Sequence, residues 1–228
     1  MNQRLRLLGV ETGSDACSAA LYVDGDVCER YEVAPRRHAD LLLPMIEDLL
    51  AEAGLAVAEL DGLVLGRGPG SFTGVRIATA VVQGIAFATE KPVACVSSLA
   101  ALAQGMFRER GAAQVLAGFD ARMGEAYWGA FRAEDGLMRP LQKECVVAPE
   151  RAPIPQSDGD WLGAGSAFET YESVLGVHCN ALASEALPHA QDLMPLAVDV
   201  WKRGESVSAD QALPVYLRNQ VAWKKSPS

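Results

Sequence analysis

Apolar positions come in short runs at the start of the chain and in long helical sets afterwards. The runs at 5–11, 16–23 and 27–33 read as three strands, the last two joined by Asp24-Gly25-Asp26, a tight hairpin signal. The chain therefore opens as a β-meander rather than a βαβ unit. A helix over 37–53 follows. Its apolar set is Leu41, Leu42, Leu43, Met45, Ile46, Leu49, Leu50 and Ala53, and Gly54 is placed to cap its C-terminus. Pro44 has no N–H for the Asp40 carbonyl, which predicts a kink or a helix start there. Further strands are expected at 62–66 and 92–96, and helices at 71–89 and 98–110, the second with a serine cap.

A second block starts near Gln114. Runs at 115–119, 126–131 and 141–147 read as strands and repeat the meander, which points to an internal duplication. The Pro-, Asp- and Ser-rich stretch 149–160 reads as a loop, 161–165 as a strand and turn, and 166–175 and 190–203 as helices. The expected division is an N-terminal lobe over 1–110 and a C-terminal lobe over 111–228.

Between the strand at 62–66 and the helix at 71–89 stands Gly66-Arg67-Gly68-Pro69-Gly70-Ser71-Phe72-Thr73-Gly74-Val75-Arg76. A strand, a glycine loop and a helix in that order commonly carry function in α/β proteins. Yet a phosphate loop needs a lysine after its last glycine, and Val75 follows Gly74. The spacing G-x-G-x-x-G of a dinucleotide loop is absent as well. Gly68, Pro69, Gly70, Ser71 and Gly74 are therefore read as a structural glycine loop, with Ser71 as the helix N-cap rather than a nucleophile. The pattern G-x-S-x-G does not surround it. Glu11, Thr12, Gly13 and Asp120 end comparable strands in the two blocks. They read as turn and cap residues of vestigial nucleotide loops, with no cofactor expected and weak nucleotide binding left open.

The first two helices carry more apolar residues than one core-facing stripe needs. In the second, Gly74 and Ala78, then Ala80, Gly84 and Ala88, lie four apart, and small residues at that spacing let another helix approach closely. Ile77, Val81, Val82, Ile85 and Phe87 supply a further apolar surface. Two neighbouring helices of this kind predict a partner interface, for which His38, Leu42, Met45, Leu49, Gly74, Ala80, Gly84 and Ala88 are the candidates.

Composition narrows the chemistry. The 228 residues are 50% hydrophobic and 21% charged, enough for a packed core, and the net charge of −9 argues against a strong grip on nucleic acid. Five cysteines without a C-x-x-C pair suit reduced thiols in the cytosol. No signal peptide is read at the N-terminus, and no apolar span reaches membrane length without polar breaks. None of the three histidines, His38, His178 and His189, stands at metal-ligand spacing, and no cysteine or carboxylate cluster is read around the last two.

Two meander-led α/β blocks are the layout of the actin, sugar-kinase and Hsp70 ATPase superfamily. Within it, the chain resembles the bacterial TsaB (YeaZ) family nearly end to end, least between 149 and 187. The matching motifs are the glycine loop; Asp120-Ala121-Arg122-Met123-Gly124-Glu125-Ala126-Tyr127-Trp128; the tail from Pro214-Val215-Tyr216-Leu217-Arg218 to Trp223; and Pro35-Arg36-Arg37-His38 through Leu42-Leu43-Pro44. One departure is Glu11-Thr12-Gly13, where the family more often has Asp-Thr-Ser. The resemblance implies a two-lobed, non-catalytic subunit of the machinery that places threonylcarbamoyl on tRNA adenosine. Its implied partners are the catalytic paralogue TsaD and the ATPase TsaE; the excess apolar area of the first two helices predicts a homodimer when alone, and the net charge of −9 predicts that tRNA is met only through the complex. In the paralogue an H-x-x-x-H pair holds a metal, and it falls at Ser98 and Leu102 here, neither of which replaces an imidazole. The alternatives are an actin-like ATP-dependent kinase or hydrolase, and a metallo-glycoprotease-like peptidase, against which the missing H-x-x-x-H speaks.

Overall fold

The computed structural model describes residues 5–156 and 159–218. The part of the tail motif from Asn219 to Trp223 lies outside them. The first sheet has the order β3-β2-β1-β4-β5, built from β1 (Arg6–Glu11), β2 (Ala16–Val23), β3 (Asp26–Val33), β4 (Gly62–Gly66) and β5 (Val93–Val96). The meander β1–β3 is antiparallel, and β4 and β5 run parallel to β1. The second sheet repeats this plan as β8-β7-β6-β10-β11. Its strands are β6 (Gln114–Arg122), β7 (Glu125–Glu134), β8 (Leu137–Pro140), β10 (Leu162–Ala164) and β11 (Ala181–Ala183), with β9 (Cys145–Val147) also paired to β7. Antiparallel meanders and parallel strands recur in the same places, so the two halves share one architecture. This is the two-lobed actin-like α/β fold.

Residues alternate between faces along β1, as a strand requires. Leu8 and Val10 face a core shared with α1 (His38–Ala53) and α2 (Phe72–Thr89). Leu7 faces the opposite core, shared with α6 (Ala190–Lys202). In the second lobe α3 (Ser98–Arg110) covers one face of the sheet, and α4 (Ser166–Thr170) with α5 (Glu172–Leu175) covers the other.

The expected division at 110/111 does not follow this packing. α3 belongs to the first block by sequence, yet Leu99, Leu102 and Met106 pack on the second sheet with Val115 and Ala117. α6 belongs to the second block, yet Leu193 and Met194 pack on Val64 and Ala94 of the first sheet. The two helices exchange lobes and meet, with Arg108 Nε bonded to Asp192 Oδ1 at 2.7 Å. Periodicity shows that a helix has an apolar face but not which sheet will take it.

Other boundaries also differ. The strand expected at 141–147 is two pieces, β8 ending at Pro140 and β9 from Cys145. The helix expected at 166–175 breaks at Tyr171, whose φ of −125° is outside the helical range. The three-residue β11 carries too little pattern to read from sequence. α1 runs through Pro44 as one helix, with Asp40 and Pro44 both on its exposed side. α2 is long and apolar enough to cross a membrane by length and composition alone, at a hydropathy of 1.3, but its buried stripe packs on the first sheet.

Candidate partner surface and the closed glycine loop

The end of β1 and the glycine loop are pressed together. Ser71 N donates to the Gly13 carbonyl at 2.6 Å, and Thr12 Oγ1 donates to the Gly74 carbonyl at 2.8 Å. A Cβ on Gly70 would lie 2.2 Å from the Gly13 oxygen, and one on Gly74 only 1.9 Å from the Thr12 oxygen. The glycines are therefore required by backbone contact, and the Gly68–Pro69 peptide bond is cis. Ser71 caps α2 by accepting from Gly74 N.

Glu11 is fully buried at the base of this contact. Its Oε1 accepts from Gly13 N and its Oε2 from Ser98 Oγ, both at 2.6 Å. Burial pushes its carboxyl above the ordinary range, against the lowering effect of the Ser98 and backbone hydrogen bonds. A Cβ on Gly66 would meet Glu11 Oε2 at 2.2 Å, so this side chain fills the space next to the loop. Leu102, the other position aligned with the paralogue's ligands, sits in the core of the second lobe.

Asp120 lies inside β6 at a bulge rather than at the strand's end. Its Oδ1 accepts from Arg122 N at 2.9 Å and from the Tyr171 hydroxyl at 3.1 Å, and its Oδ2 pairs with Arg122 at 3.1 Å. These contacts make it a turn-fixing residue.

The interface candidates divide by face. Leu42 and Leu49 are buried in the first-lobe core, and Gly74 is buried against Thr12. His38 is 7% exposed, with Nε2 at 3.0 and 3.2 Å from the Ser14 and Ala16 carbonyls, so it fastens α1 to the β1–β2 loop. These four are therefore core and loop residues, not docking residues. The sequence shows that the helices are over-apolar but cannot say which stripe turns inward. Met45 is half-buried beside the core. Ala80, Gly84 and Ala88 are exposed, on the opposite side of α2 from the buried Ala78, Val82 and Ala86. Phe87 is 81% exposed beside them, and Leu43 of α1 is 49% exposed.

Sequence reasoning missed the seam between the lobes. Glu144 accepts a short hydrogen bond from Ser97, the N-cap of α3, and burial raises its carboxyl pKa while Ser97 and the Arg67 charge oppose the rise. It also missed the partner of His189. The ring stacks on Tyr31 with centroids 3.9 Å apart, and Nδ1 lies 2.9 Å from Glu29 of β3. A single carboxylate therefore faces His189, and among the described residues it belongs to no group of metal-ligating side chains. No local signal could show it, since 160 residues separate the pair.

These features define a two-lobed actin-like protein whose β1 loop is filled by its own carboxylate and whose α2 leaves an apolar face in solvent. A family model described as TsaD, tRNA N6-adenosine threonylcarbamoyltransferase, matches residues 31–183. The Escherichia coli tRNA threonylcarbamoyladenosine biosynthesis protein TsaB is 41% identical, covering 98% of this chain and 99% of its own. The Haemophilus influenzae protein of that name is 37% identical, covering 99% and 98%. Among solved structures, YeaZ from Pseudomonas aeruginosa is 51% identical with a TM-score of 0.90, covering 93% of this chain and 100% of its own. The chain belongs to the TsaB family.

Proposed function

We propose that the protein is a non-catalytic subunit in the synthesis of threonylcarbamoyladenosine on tRNA. It holds the catalytic paralogue TsaD in a competent shape through α1 and α2 and helps form the docking surface for the ATPase TsaE. The carrying observation is the outward stripe of α2, where Ala80, Gly84, Phe87 and Ala88 stand exposed. Small residues there allow a second helix to approach closely, and an apolar helix face left in solvent marks an interaction site. The chain alone covers this face by pairing with a second copy and exchanges that copy for TsaD. It works in the cytosol and meets tRNA through the complex, consistent with its net charge of −9. Its relatives' names and the filling of the β1 loop by Glu11 support a subunit without chemistry of its own.

The test is reconstitution with purified TsaD and TsaE. Wild-type protein should co-elute with TsaD and support threonylcarbamoyl transfer to tRNA. Gly84→Arg and Ala80→Arg should melt like wild type yet lose both dimerisation and co-elution. Folded arginine variants that still bind TsaD and support transfer would place the interface elsewhere.

A further inference from the structure

The main joint between the lobes is made by α3 and α6, where Arg108 pairs with Asp192 and Arg139 of β8 pairs with Asp199 of α6, and the start of α3 adds Ser97 to Glu144 and Ser98 to Glu11. A joint built on two helices leaves two lobes able to hinge, which is how two-lobed proteins open and close around ligands. This chain has a second joint. After α6, a short 3-10 turn at Ala209–Gln211 leads the chain along the first lobe, where Gln83 Nε2 donates to the Ala212 carbonyl at 3.0 Å. Val215 N then donates to the carbonyl of Arg67 in the glycine loop at 2.9 Å. The Tyr216 hydroxyl accepts from Arg76 Nε at 3.0 Å, and the Arg76 guanidinium covers the Phe72 ring 3.5 Å from its centroid. Two residues on, the chain reaches the other lobe. Arg218 Nη2 pairs with Glu125 at 2.5 Å and donates to the Arg122 carbonyl at 3.2 Å, while Nη1 lies 3.7 Å from Met123 Sδ.

We propose that the segment from Leu213 to Arg218 is a strap that locks the angle between the lobes. The geometry of β7 carries this. Glu125 is at the start of β7, and Arg132, seven residues on, is paired with Arg139 of the α6 joint. At about 3.3 Å per residue the two joints are roughly 23 Å apart along one strand. Two joints that far apart block the rotation that either alone would allow. An exposed ion pair by itself holds little, but this strap is fastened by backbone, aromatic and guanidinium contacts on the first lobe and by three contacts of one guanidinium on the second. It does the work that a ligand between the lobes does in proteins that close on one.

The test is the distance between the lobes in the full chain. Asp48 of α1 and Glu169 of α4, both exposed, are replaced by p-acetylphenylalanine and spin-labelled, which leaves the five cysteines untouched. Dipolar spectroscopy should give one narrow distribution for the otherwise wild-type chain. Arg218→Glu, Tyr216→Ala and a chain ending at Leu213 should each broaden it about twofold as the hinge is freed. Adding Glu125→Arg to Arg218→Glu should narrow it again. An equally narrow distribution in all three strap variants would overturn the proposal.

Discussion

Ser98 donates its hydroxyl proton to Glu11 across 2.6 Å, joining the start of α3 to the end of β1. The resemblance to the paralogue puts a metal-binding histidine at position 98. Here a small hydroxyl stands there and holds a buried carboxylate that also accepts from Gly13 N. The contact ties the helix that crosses to the second lobe to the strand at the centre of the first sheet, so it stabilises the fold.

Removing that carboxylate tests this reading. Glu11→Ala leaves Ser98 Oγ and Gly13 N buried without an acceptor, at about 1–3 kcal/mol for each buried unsatisfied group. Glu11→Gln keeps an acceptor and removes the buried charge. The folded carboxyl titrates above its ordinary 4.5, so its contribution is full below that value and is lost as pH rises through the raised one. Chemical denaturation should therefore show Glu11→Gln gaining on wild type as pH rises above 4.5. A difference that stays constant with pH would show that Glu11 does not titrate in this way.

The strands and helices of the first lobe were legible because each has its own signal. Asp24-Gly25 turns with positive φ at both residues, Gly54 caps α1 in the left-handed region, and Ser71 caps α2. The glycine loop was legible as structural because phosphate chemistry was missing from it. What the sequence could not show is long-range. Leu42 and Ala80 are both apolar helical residues, and only the position of the sheet makes one core and the other surface. Glu29 with His189, Glu144 with Ser97 and Arg218 with Glu125 all join residues dozens of positions apart, where no periodicity reaches.

Two glycines of α2 should respond in opposite ways. Gly74→Ala forces a Cβ to 1.9 Å from the Thr12 carbonyl oxygen, which backbone cannot relieve, and should cost more than about 4 kcal/mol or prevent folding. Gly84 has nothing within 4 Å of a built Cβ. Gly84→Ala should raise helix stability by about 0.5–1 kcal/mol, since alanine loses less backbone entropy than glycine. Thermal melts of the two variants, made dilute enough that the chain is monomeric, decide it; a destabilised Gly84→Ala under those conditions would mean that this face packs within the chain itself.

The thiols should react in order of exposure and acidity. Cys28 is exposed, whereas burial pushes Cys17 and Cys179 up to about 11, with Glu32 adding to the rise at Cys17. Only thiolate attacks an alkylating reagent. Mass mapping after brief alkylation of the native protein near neutral pH should therefore find Cys28 modified first. Early modification of Cys17 would mean that the first-lobe core opens readily.

The clasp of His189 by Glu29 should make stability depend on pH in a defined window. Burial alone lowers the imidazole pKa, but the Glu29 hydrogen bond and charge, with Asp192 adding, outweigh burial and the opposing Arg108. The net shift is upward from 6.5. A raised pKa means that the folded state holds the proton more tightly, so the stabilisation is full below 6.5 and fades as pH rises through the raised value. Glu29 also accepts from Gln191 N at 3.0 Å and so caps the start of α6, a contact that does not depend on the imidazole proton. His189→Gln removes the titrating group and keeps the cap. The stability gap between wild type and this variant should be widest near pH 6 and narrow steadily above it, read from urea midpoints at several pH values. A gap that widens with pH would show that the imidazole is held neutral and that Glu29 serves only the helix.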